Sequence, residues 1–172
     1  MTDFGELYRQ YAADVFRFAL YLSGDRDEAE DITSETFVRV WTSPEPIRMA
    51  TVKGYLLTIA RNLHLQSLRK RRRQVGIGDR DFADPRPDPL AEAELSSEVA
   101  AALAGLRALP EIDRAALLMR AMHDMPYEEI ARSLGISLAA TKVKIHRSRL
   151  TLLGLRNTQA PDPQGPSGRS RT

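Results

Sequence analysis

Two stretches of this 172-residue chain carry side chains suited to recognition chemistry. One is YEEIARSLGISLAATKVKIHRSRLTLL, residues 127–153. Tyr127 to Leu134 reads as a two-turn helix with Ile130, Ala131 and Leu134 inward. Gly135 permits a tight left-handed turn, and Ser137 can cap the helix that follows. That helix sets Leu138, Thr141, Ile145, Ser148 and Leu152 on one face, and small Ala131 and Ser148 let the two helices cross closely. At about 100° per residue the opposite face carries Ala139, Val143, His146, Arg147 and Leu150, with Lys142 and Lys144 on its flanks. This is the helix-turn-helix plan, whose second helix enters the DNA major groove. Lys142, Val143, His146 and Arg147 are then candidates for base edges, and Lys144 and Arg149 for phosphates. The plainer alternative is an amphipathic helix with a solvated basic face; the helix and glycine turn before it weigh against that.

The other stretch runs from Thr51 to Gly78, with seven basic residues and no acid, and ends in LRKRRRQ. Arg61, Asn62, His64, Gln66, Arg69, Arg71, Arg72 and Arg73 combine amide, imidazole and guanidinium groups that can read or stack on bases and grip phosphates. A merely solvated helix face would intersperse glutamates. A run such as RKRRR can also serve as a sorting signal, although nothing else in the chain points that way.

Helices must position these groups. Phe4, Leu7, Tyr8, Tyr11, Ala12, Val15, Ala19 and Leu22 keep a three/four spacing, so 4–22 is helical and stops at Gly24. A second helix spans about 25–41, with Ala29, Ile32, Thr36, Phe37, Val40 and Trp41 inward and acids outward. Its opening DRDEAED suits the helix dipole. TSPEPIRMA is a loop, and a third helix covers about 51–73 with Leu56, Ile59, Ala60, Leu63 and Ser67 inward. GIGDRDFADPRPDP (76–89) reads as a linker. Helices resume with Leu95, Val99, Ala102, Leu103 and Leu106, and Pro110 and Pro126 start two more. From Ala160 the Pro/Gly/Ser-rich tail reads as disordered. The expected fold is all-α: two small helical domains, 1–75 and 92–156, joined by a flexible acidic, Pro-rich linker at 76–91, the second domain containing the helix-turn-helix and a tail at 157–172.

Composition narrows the function. The chain has no cysteine and three scattered histidines, which argues against disulfides, thiol catalysis and a structural metal, so no cofactor is expected. No nucleophile–base pair or phosphate-cradling glycine loop stands out, so the chain does not read as an enzyme. No signal peptide and no apolar run of the ~18–20 residues a membrane span needs is present, so a cytoplasmic protein without membrane insertion is expected. Net charge is only +2, but it is arranged in blocks: Asp25 to Glu35 holds six acids and one base, and Ala139 to Arg156 five bases and no acid. Two basic surfaces for a polyanion and an acidic one for another partner follow.

In this order, these segments resemble the small extracytoplasmic-function (ECF) sigma factors of bacterial RNA polymerase, over about Phe4 to Leu153. DEAEDITSETFVRVW resembles the family's polymerase-docking segment, TVKGYLLTIARNLHLQSLRKRRR its promoter −10 segment, and LPEIDRAALLMRAMHDMPYEEIARSLGIS with the following helix its −35-binding domain. The resemblance implies that Asp31, Ile32, Glu35, Phe37, Val38 and Trp41 hold the core polymerase. It implies that the 42–50 loop and the 51–73 helix capture the −10 element, with Arg61, Asn62 and His64 as base contacts and LRKRRRQ as a phosphate clamp. Lys142, Val143, His146 and Arg147 would read the −35 element. The implied partners are bacterial core RNA polymerase, promoter DNA and an anti-sigma protein. Tyr55 where the family commonly has Trp, Gln66 where it has Asp, Ser34 where Gln is frequent, and Ala139-Ala140-Thr141-Lys142 in place of Gly-Thr-Val-Lys leave the promoter sequence open. Two other readings stay open from the residues alone: a dimeric helix-turn-helix repressor or activator acting without polymerase, and an adaptor whose basic helices bind RNA.

Overall fold

The computed structural model describes residues 3–43, 51–74 and 97–159, with side chains to 154. The proposed linker, the tail from Ala160 on, Leu95 and residues 44–50 of the loop lie outside the described residues, whereas residues 157–159, assigned to the tail, continue the last helix.

Seven helices account for nearly all of the described chain: α1 (Phe4–Ser23), α2 (Arg26–Thr42), α3 (Val52–Gln74), α4 (Ser97–Arg107), α5 (Glu111–Ala121), α6 (Tyr127–Leu134) and α7 (Leu138–Gln159). The boundaries follow local chemistry. Asp3 caps α1, its carboxylate accepting from Gly5 N–H at 3.2 Å, and Gly24 ends it in the left-handed region at φ 69°. Asp25 caps α2 by accepting from the N–H groups of Asp27 and Glu28. Pro110 and Pro126 stand at the N-cap positions of α5 and α6, where no N–H is needed.

Val15, Phe18, Ala19 and Leu22 of α1 pack with Ala29, Ile32 and Phe37 of α2 and Leu56, Leu57 and Ala60 of α3. In the C-terminal half Leu106, Leu109, Ala115, Leu118, Met119, Ile130, Leu134 and Ile145 close the core. Two helix faces differ from the periodicity. Ala102 is exposed, and α4 buries Gly105 and Leu106 instead. Leu138 is 38% exposed because it opens α7 beyond the reach of α6, so the buried side of α7 begins at Thr141. No helix among the described residues is long and apolar enough to cross a membrane.

Candidate functional site

The helix-turn-helix forms as its glycine predicts. Gly135 sits at φ 67° and ψ 35°, and Ile136 N–H returns to Ala131 O at 3.1 Å. Ser137 Oγ accepts from Ala140 N–H at 3.0 Å and starts α7. Thr141 is fully buried, its hydroxyl donating to Ser137 O, and Ser148 satisfies itself on Lys144 O. Lys142, Val143, His146 and Arg147 are all exposed, with Val143 and Leu150 forming an apolar ridge between the charges. Lys142 is steadied above the Tyr127 ring, 5.8 Å from its centroid, and Arg120 lies over the same ring at 4.5 Å.

Lys144 departs from its expected role. It is half-buried and donates to Asp113 Oδ1 at 3.2 Å, tying α7 to α5 rather than facing outward. Arg149 is exposed but lies on the flank of α7 that borders an apolar groove of about 950 Å³, lined by Tyr21, Ala101, Gly105, Leu118, Met122 and Leu152.

On α3 the basic residues divide. Asn62, Gln66, Arg69, Lys70, Arg72 and Arg73 are exposed, and Gln66 Oε1 accepts from Arg39 at 3.3 Å. Arg61 and His64, expected on the DNA side, are buried instead. Arg61 makes a two-pronged pair with Glu111 of α5, Nε and Nη2 each 2.8 Å from a carboxylate oxygen. His64 Nδ1 lies 2.9 Å from Glu28 Oε1, and Arg71 donates to Glu28 Oε2 at 3.0 Å. Arg71 thus turns back to anchor the end of α3 on α2, while its neighbours point outward. Burial alone would raise the Glu28 carboxyl; the hydrogen bond and charge of His64, the charge of Arg71 and a hydrogen bond from Ser67 outweigh it, and the group is held below its ordinary value.

On α2 the outer stripe is mixed. Asp31 and Glu35 are exposed, followed on the same side by Val38 at 51% and Trp41 at 66% exposure. Ile32 and Phe37 are buried, so they support this surface from beneath and do not form it. Trp41 stands outside the core but is not loose: Phe4 meets it edge-on with centroids 4.5 Å apart, and Phe4 and Tyr8 both pack on Phe37. Half-exposed Tyr8, one of the residues whose spacing marks α1 as a helix, widens the apolar end of the stripe. Beside it, a small groove of about 340 Å³ between α2 and α3 is lined by Asp25, Asp27, Asp31, Glu35 and Arg71.

An acidic-to-aromatic stripe on one helix and two outward basic surfaces on others form the pattern that the sequence implied. Residues 7–74 match the Sigma-70 region 2 family, and residues 100–152 match Sigma-70, region 4. The chain belongs to the ECF family of RNA polymerase sigma factors. It is 36% identical over 159 residues to the ECF sigma factor SigE of Mycolicibacterium smegmatis, a match covering 88% of this chain and 61% of that longer relative. It is 30% identical to SigM of Bacillus subtilis across 91% of this chain and 97% of SigM. Among solved structures it resembles the sigma factor RpoE of Bartonella quintana, seen in complex with the anti-sigma factor NepR, with TM-score 0.77, 25% identity, and coverage of 93% of this chain and 100% of that one. CnrH, solved with the cytosolic domain of CnrY, shares the fold at TM-score 0.68 and 21% identity, covering 91% and 89% of the two chains.

Proposed function

We propose that this ECF sigma factor directs core RNA polymerase to promoters through three separate helical surfaces. In this reading the α2 stripe of Asp31, Glu35, Val38 and Trp41 grips the polymerase. Exposed carboxylates suit a basic partner surface, and an exposed Trp at the edge of a packed aromatic cluster is an interface anchor rather than a core residue. Asn62 and the exposed end of α3, Arg69, Lys70, Arg72 and Arg73, engage the −10 region and its phosphates. Lys142, Val143, His146 and Arg147 enter the major groove at the −35 element, where Arg and Lys suit guanine O6 and N7 and Val143 suits a thymine methyl.

Residues 1–75 then form the polymerase and −10 domain, 76–91 the linker, 92–156 the −35 domain and 157–172 the tail. The chemistry of RNA synthesis is the polymerase's, and the sigma chain supplies recognition in the cytoplasm. An anti-sigma protein is the natural regulator, in keeping with the complex of RpoE with the anti-sigma factor NepR.

The observation that carries this reading is the outward placement of the α2 stripe together with both basic surfaces, a combination a free-standing repressor does not require. Purified chain mixed with bacterial core polymerase should bind it and yield new run-off transcripts from a subset of genomic promoter fragments. Saturable duplex binding by the chain alone, with no polymerase binding, would overturn the reading in favour of a repressor.

A further inference from the structure

Arg39 of α2 reaches across to α3, where its Nη2 donates to Gln66 Oε1 at 3.3 Å. One turn back on α2, Glu35 Oε1 lies 3.5 Å from Arg39 Nε and steadies the guanidinium. Gln66 itself is exposed, and its amide nitrogen meets no acceptor among the described residues. At about 100° per residue, Asn62, Gln66, Arg69 and Arg73 fall within roughly 60° of one another, and all are exposed. Gln66 is therefore the second amide of a stripe that begins with Asn62 and ends in cations. Arg61 and Arg71 do not share that stripe, being held by Glu111 and Glu28.

A glutamine amide on its own is an ambiguous reader. It has an acceptor at one end and donors at the other, and a half-turn about its last bond exchanges them. Arg39 removes the ambiguity. A guanidinium carries N–H donors and no acceptor, so only the oxygen end of Gln66 pairs with it. The reverse orientation sets N–H against N–H beside a positive charge and loses the bond. The NH2 end is thereby turned away from Arg39 as a donor.

Base chemistry makes that orientation matter. Thymine and guanine present a keto oxygen where cytosine and adenine present an amino group. The exocyclic group is the same whether the base is paired or unstacked. A fixed donor pairs with the keto bases and meets donor with donor at the amino ones, which leaves N–H groups unsatisfied once water is excluded.

We propose that Gln66 is a specificity-determining residue of the −10 surface and Arg39 its positioning residue, so that one −10 base is read as keto, T or G, in preference to amino, C or A. The inference rests on the promoter reading above and adds to it a base preference and the residue that sets it.

The test uses the full chain with core polymerase on a promoter found active in the run-off assay. Each −10 base is replaced in turn, one strand at a time, by the other three. The chain is supplied in excess, so that a change in polymerase affinity does not enter the comparison. Wild type should favour T and G over C and A at one position by roughly three- to tenfold. Gln66→Ala and Arg39→Ala should each remove most of that preference at the same position, and the double variant should remove no more. Gln66→Glu still accepts from Arg39 but presents an acceptor to the base, so the preference should turn over to C and A. A merely structural role for Arg39 would lower transcription from every fragment alike and leave the preferences in place, and that result overturns the assignment. So does a Gln66→Ala chain with wild-type preferences throughout, or an amino preference in wild type at the position that Gln66→Ala relaxes. No transcription by wild type from any fragment overturns the promoter reading, and this assignment with it.

Discussion

Glu28 of α2 receives His64 on one carboxylate oxygen at 2.9 Å and Arg71 on the other at 3.0 Å. A single buried acid therefore fixes the middle and the end of α3 and sets which side of LRKRRRQ faces outward. Glu28→Ala would strand a buried imidazole and part of a guanidinium. The expected loss is about 2–4 kcal/mol of unfolding free energy, measurable by urea titration. Because folding lowers the Glu28 pKa, its contribution is complete above about pH 4.5 and is lost as pH falls through the lower folded value. The variant should accordingly show a shallower acid transition than wild type.

Trp41 and Phe37 lie four residues apart on α2 and should separate binding from stability. Phe37 is 2% exposed, and Phe37→Ala should cost roughly 3–5 kcal/mol of stability. Trp41 is mostly outside the core, so Trp41→Ala should change stability by less than about 1 kcal/mol while weakening core-polymerase binding tenfold or more. Thermal melts and polymerase titrations on both variants check the pair. A Trp41→Ala chain that melts early and binds normally would place the indole in the fold instead.

The helices and the helix-turn-helix were legible because periodicity, caps and one glycine act over a few residues. What stayed hidden is what acts over long separations. Thr51 to Gly78 contains no acid, so a partner for Arg61 had to come from elsewhere, and it comes from Glu111, fifty residues on. Periodicity shows which side of α3 is apolar, but α3 also meets α5 and α6 through hydrogen bonds of Thr51, Thr58 and Arg61. Hydroxyl and guanidinium partners leave no mark in an apolar pattern. Lys144 misleads for a related reason, since a flank position looks solvated until Asp113 of another helix meets it. Trp41 errs in the opposite direction: it keeps the inward spacing of α2 but stands 66% exposed past the end of the packed layer, where Phe4 meets it edge-on.

His123, in the turn between α5 and α6, sets a second pH window. Its ring packs edge-on against Phe18 of α1 with centroids 5.9 Å apart, and neither ring nitrogen has a hydrogen-bond partner. Burial, with the charges of Lys53 and Arg17 and against the pull of Asp14, pushes its pKa down to about 4. Folding thus favours the neutral ring. Its contribution is complete above about pH 6.5 and is lost as pH falls from there towards 4, where the unfolded chain binds the extra proton. Stability measured by denaturant between pH 7.5 and 5 should fall by about 1–2 kcal/mol. His123→Phe, which keeps a ring against Phe18 without a site for the proton, should flatten most of that slope; an unchanged slope would assign it to another group.

Arg147 and Lys144 are both basic and both on α7, yet they should behave differently on DNA. Arg147 is exposed on the outer face, whereas Lys144 is held by Asp113. Arg147→Ala should weaken binding to a −35 duplex by about 1–3 kcal/mol and relax base preference at one position. Lys144→Ala should leave the salt dependence of DNA binding unchanged, because a lysine already paired within the protein releases no counterion from phosphate. Its effect should appear in the stability of the C-terminal half, through an Asp113 carboxylate left without its cation. Affinity measured across a salt series for both variants decides the matter: a slope reduced by about one for Lys144→Ala would mean that it leaves Asp113 for the backbone of the DNA.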